Sequence, residues 1–85
     1  MNYRIEFTSA AAKQIKKLPH SASSQILKAI ESLQDNPRPH RAKKLVGEAT
    51  AWRIRVGNYR VIYDIFDEEL VVTVVRAALR REAYR

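Results

Sequence analysis

The chain has 85 residues, 46% apolar and 29% charged, with two glycines, three prolines and no cysteine. That is the composition of one globular domain over residues 1–85, small enough that folding hides only about 60–65% of the surface its unfolded chain exposes. Lacking cysteine, it has no disulfide, thiol nucleophile or thiolate metal site, and two histidines are too few for a zinc site built from protein alone.

Sixteen Lys and Arg against nine Asp and Glu give a net charge of +7. On so small a domain this points to a polyanionic partner, with a generically basic surface as the plainer alternative. No apolar run approaches the roughly 20 residues of a membrane span, and no apolar stretch follows a basic region at the start, so a cytoplasmic protein away from membranes is expected.

Tyr3, Ile5 and Phe7 alternate with polar residues, which predicts a strand over 2–7 with one side toward a core. Thr8 or Ser9 can cap a helix running to about residue 18, with Ala11, Ala12, Ile15 and Leu18 as its buried stripe and Pro19 as its stop. Ser21 can cap a second helix, whose stripe is Ile26, Leu27, Ile30 and Leu33 and which Asn36-Pro37 ends. His20 and His40 fall at turn and loop positions beside prolines, and Ser23 and Ser24 read as plain helix residues.

Residues 36–50 hold Pro37, Pro39 and Gly47 and no clear period, so they read as a long basic connection. From residue 51, Trp52, Ile54 and Val56 alternate with Arg53 and Arg55, and Gly57-Asn58 supplies the two residues of a primed hairpin turn. Tyr59 opens the return strand. A second turn at Asp67-Glu68 leads into residues 70–75, a β-branched run apolar on both sides and therefore a central strand, and residues 79–85 form a helical or extended tail.

The expected fold is α+β: an N-terminal strand, a helical hairpin, then a three-stranded antiparallel meander with both helices on one sheet face. A two-residue loop fixes the register, pairing Arg55 with Arg60 and Arg53 with Ile62. Trp52, Ile54, Val56, Tyr59, Val61, Tyr63 and Ile65 then face the core, and Arg53, Arg55 and Arg60 share the opposite face. If Asp67-Glu68 is also a two-residue turn, Val75 lies beside Arg60. Like charges directly opposite each other destabilise a sheet, and local rules broken in this way tend to mark functional sites.

The segment Leu45-Val46-Gly47, the run from Trp52 to Tyr63 reading WRIRVGNYRVIY, and the closing Arg80-Arg81-Glu82-Ala83-Tyr84-Arg85 together resemble the RelE/ParE superfamily of bacterial and archaeal toxins, and most of all its RelE branch. The resemblance extends over nearly the whole chain, with the WRIRVGxYRVIY run its most specific part. It implies the toxin of a two-gene toxin–antitoxin pair, an endoribonuclease that enters the ribosomal A site and cuts the messenger RNA there without metal or cofactor. It also implies attack of a 2′-hydroxyl on the adjacent phosphate, departure of the 5′-oxygen and a cyclic phosphate product.

By the same resemblance Arg53 and Arg55 match the family's two basic strand positions and Arg60 the Arg of its YR motif, together stabilising the charge of the phosphorane. Tyr84 matches the proposed general base, its phenol lowered by surrounding arginines, and Arg80 or Arg81 the proton donor to the leaving group. Many relatives carry a histidine where this chain has Leu79, which implies slower chemistry or greater reliance on Tyr84. Arg41, Lys43 and Lys44 are candidates for phosphate contacts to RNA or the ribosome. The implied partners are a RelB-like antitoxin that holds the toxin inactive, the ribosome and messenger RNA. Two other readings stay open: a ParE-like inhibitor of DNA gyrase, and an inactive nucleic-acid-binding homologue.

Overall fold

The structure is a computed structural model and describes residues 2–80. In chain order it contains β1 (Arg4–Phe7), α1 (Ser9–Lys16), α2 (His20–Ser32), β2 (Lys43–Lys44), β3 (Ala51–Val56), β4 (Tyr59–Phe66) and β5 (Val71–Leu79). The predicted α+β class and its antiparallel meander are both present, and the meander is the centre of a five-stranded mixed sheet in the order β1-β5-β4-β3-β2.

Thr8 sits in extended conformation before α1, and its hydroxyl accepts a hydrogen bond from the Ala11 amide at 3.1 Å, satisfying one of the donors that a helix start leaves over. α1 buries Ala11 and Ile15. α2 differs from expectation at its start: Pro19, not Ser21, occupies the cap position, and it makes no side-chain cap hydrogen bond. Proline's fixed φ and missing amide suit a helix entrance without one.

Both helices cover the face predicted to be the core side. Ile26, Ile30 and Leu33 of α2 and its end pack with Ile54, Val61, Tyr63, Val72 and Val74 of the sheet, all of them essentially inaccessible. Ala29 takes the place expected for Leu27, which is 45% exposed; Phe7, expected inside, is 42% exposed. These two side chains line an open groove with Ile5, Ile30, Glu31 and Gln34, because β1 is the edge of the sheet and α2 does not extend over its outer side.

Three features lay beyond local sequence signals. β1 pairs parallel with β5, Arg4 opposite Val71 and Phe7 opposite Val74. The basic connection contributes β2, whose Lys43 and Lys44 lie opposite Arg53 and Trp52. The turn after β4 holds four residues, 67–70, with Leu70 at φ 57°, so Phe66 meets Val71; together with the bulge described next, this puts Ala78, not Val75, opposite Arg60. The second difference from the expected register is a bulge: Tyr63 pairs with Val74 and Ile62 with Arg76, leaving Val75 as an extra residue on β5.

Candidate nucleic-acid interface

The predicted hairpin register is present pair for pair, from Ala51 opposite Asp64 to Val56 opposite Tyr59. Arg55 stands opposite Arg60, and Arg53 opposite Ile62. Joining the three ladders gives two rows across the face away from the helices. One runs Lys43, Arg53, Ile62, Arg76, and the other Arg55, Arg60, Ala78. With strands about 4.8 Å apart, the first row spans about 14 Å.

Ile62, only 7% exposed, lies outside the main core cluster and at the centre of the arginine face. Its ladder neighbours are Arg53 and Arg76, both half-buried. Long aliphatic stems lie along apolar surface while keeping their charged ends in water, so the pair can shield Ile62 and hold their guanidinium groups on either side of it. The Nε atoms of Arg60 and Arg76 are themselves buried, which places both side chains down against the sheet.

Arg80 follows the end of β5, and its amide donates to the Asn58 carbonyl at 2.9 Å, tying the start of the tail to the hairpin turn. By strand alternation it falls on the side of Arg76 and Ala78. Arg81 and Tyr84 lie outside the described residues. Arg41 reaches the Arg55 carbonyl with Nη1 at 3.4 Å, so it belongs to the neighbourhood of β3. Lys43 shares the face, but Lys44 does not: it alternates to the Trp52 side, and its Nζ donates to the carbonyls of Glu48 at 2.6 Å and Ala49 at 3.0 Å, closing its own turn.

Arg38, which the sequence groups with the basic stretch, is engaged elsewhere. Its guanidinium forks onto Asp67 at 2.7 and 3.1 Å and lies over the Trp52 ring at 5.4 Å from the centroid, while the Tyr3 hydroxyl donates to Asp67 at 2.7 Å. The Arg38 hydrogen bonds, then that from Tyr3, hold the Asp67 carboxyl below its ordinary range; the Tyr3 phenol is raised, chiefly by its hydrogen bond to Asp67. Trp52 packs against the core, as its alternation predicts.

Arg76 is the site residue that sequence reasoning missed. The available signal was that alternation from Val72 and Val74 would put an arginine, at 76, on the core side; in the structure the buried positions are instead Val71, Val72, Val74 and Ala77. What the face offers chemically is a set of fixed, forked, permanently charged donors, suited to a phosphate and to the extra negative charge of a phosphorane. No arginine among them can act as a base near neutrality.

The domain thus sets two helices on one face of a mixed sheet and an arginine face on the other. A family model described as the ParE toxin of type II toxin–antitoxin systems matches residues 5–84, and the chain belongs to that family. Its curated relatives include toxin RelG of Mycobacterium tuberculosis, 32% identical with 100% of this chain and 99% of the relative covered, and mRNA interferase toxin RelE of Escherichia coli K12, 29% identical over 98% and 88%. In structure it is similar to an archaeal RelE–RelB complex from Pyrococcus horikoshii, with a TM-score of 0.84, 27% identity, and 98% of this chain and 100% of that one covered. The chain is thus a RelE-like toxin of the type II class.

Proposed function

We propose that this toxin is a ribosome-dependent endoribonuclease that cuts messenger RNA in the A site, and that a RelB-like antitoxin silences it. The observation carrying this reading is the register that brings Arg53, Arg55 and Arg60 onto one face. These three bind the scissile phosphate and stabilise its transition state. Tyr84 takes the proton of the 2′-hydroxyl; O2′ bonds to phosphorus, the bond to O5′ breaks, and Arg80, or Arg81 beside it, protonates the departing oxygen. No step requires a metal. Lys43 and Arg41 contact neighbouring RNA phosphates, and the relatives' names, mRNA interferase and RelE–RelB complex, support both substrate and partner. The reading places the protein in the cytoplasm, where ribosomes are.

The family model's own description, a ParE toxin, favours one second reading, a gyrase inhibitor. Primer extension on a defined messenger in a purified translation system separates them. Cuts within A-site codons are expected only when ribosomes are present, reduced about 10²–10³-fold by Arg60→Ala and about 10²–10⁴-fold by Tyr84→Phe. Intact messenger, with loss of supercoiling in a gyrase assay, establishes the second reading instead.

A further inference from the structure

The bulge on β5 is held by groups that have no role in the arginine face. Inserting Val75 breaks the ladder with β4 locally, and on the other side of β5 the pairing with β1 stops at Val74, so the backbone groups that follow need other partners. Two side chains next to that break take them up: the Thr8 hydroxyl donates to the Val75 carbonyl at 3.4 Å, and the Ala77 amide donates to Oε1 of Gln14 at 2.8 Å. Thr8 is also the cap of α1, and its amide donates to the Val74 carbonyl at 3.0 Å. Thr8 and α1 therefore meet β5 at three residues around the bulge, Val74, Val75 and Ala77.

The consequence is a change of side. Without the extra residue, strand alternation from Val72 and Val74 would turn position 76 toward the helices. With it, Arg76 stands in the row of Arg53 and Ile62, one diagonal step, about 7–8 Å, from Arg60. Bulges beside functional sites characteristically re-aim a side chain in this way.

We propose that the β5 bulge, pinned by Thr8 and Gln14, delivers Arg76 to the arginine face, where it binds a phosphate of the RNA strand next to the one that is cut. This rests on the reading of the face as an RNA site. Ile62 separates Arg76 from Arg53 in their row, so Arg76 addresses the neighbouring phosphate while Arg53, Arg55 and Arg60 address the scissile one. Gln14 is a positioning residue that acts through the bulge.

Two measurements on the full chain test this. In anisotropy titrations of a single-stranded RNA 12-mer between about 20 and 200 mM salt, Arg76→Gln lowers the slope of log affinity against log salt by about 0.7, the value of one phosphate contact, and Arg76→Lys retains it. In the ribosomal assay Arg76→Gln raises KM about tenfold and leaves kcat within about threefold. Gln14→Met, which cannot accept from Ala77, moves the slope in the same direction, and Gln14→Glu, which can, does not.

An Arg76→Gln protein with wild-type slope and KM overturns the proposal, as does wild-type protein that fails to bind the 12-mer at low salt. A fall in kcat alone assigns Arg76 to the scissile phosphate and overturns its flanking role. A lost slope in Arg76→Gln with none in Gln14→Met overturns the role of the bulge. Failure of the nuclease reading is distinct: the wild type then leaves messenger intact on ribosomes while the 12-mer slopes still report on Arg76.

Discussion

Tyr63 shows what a single buried polar atom does for this molecule. Its ring is inaccessible, and its hydroxyl donates to the Pro37 carbonyl at 2.8 Å, fastening the loop after α2 to the middle of the sheet. Burial pushes its phenol up from 10.0 to about 12, against the opposing pull of Arg38 and Arg41. A folded-state value raised above the unfolded one contributes stability in full below about pH 10, and that contribution is lost as pH rises toward about 12. Tyr63→Phe leaves a buried carbonyl unpaired, for an expected loss of about 1–3 kcal/mol near neutrality, read as a drop in Tm of roughly 4–8 °C per kcal/mol. Between about pH 10 and 12 the variant's Tm should fall less steeply than that of the wild type. At this scale the sequence was informative where side chains are short or branched, because alternation alone puts Ile54 and Val61 inside. Long basic side chains escaped it: Arg38 folds back onto Asp67 and Trp52, and Lys44 closes its own turn.

The hairpin of β3 and β4 was legible because its loop has two residues and one of them is glycine. Gly57 has φ +59°, and a Cβ placed there would meet nothing nearer than Gln25 Oε1 at 3.9 Å. The cost of Gly57→Ala is therefore conformational: about 1–2 kcal/mol for an L-residue in the left-handed region, expected as a fall in Tm of several degrees in a thermal melt with the register preserved. The next turn was not legible. It puts Leu70 at φ 57° instead of a glycine and has four residues, which displaced the expected partner of Arg60 by two positions, the bulge adding the third that makes it Ala78. The bulge at Val75 was hidden for a related reason: the side chains that bond to the backbone beside it, Thr8 and Gln14, are far away in sequence, and no local pattern announces such partners. β2, at two residues, is too short to have a period at all.

For the molecule as a whole, a charge of +7 and an arginine face opposite the core make association with RNA dependent on ion release. If four or five cations of that face each neutralise one phosphate, log affinity for single-stranded RNA should fall against log salt with a slope of about −3, measurable by titration at several ionic strengths. A slope near zero would mean that the face is not the binding surface. The α+β class and the helix-free arginine face were readable from periodicity and loop length; the parallel pairing of β1 with β5 was not, since nothing in residues 4–7 names a partner some seventy positions away. That pairing also orders events in time. The first strand synthesised can join the sheet only after residues 71–74 exist, and closing so long a loop is what slows domains rich in non-local contacts. A nascent chain still lacking β5 has neither the seat for β1 nor Arg76, so the complete arginine face exists only once the chain has been synthesised through Arg76.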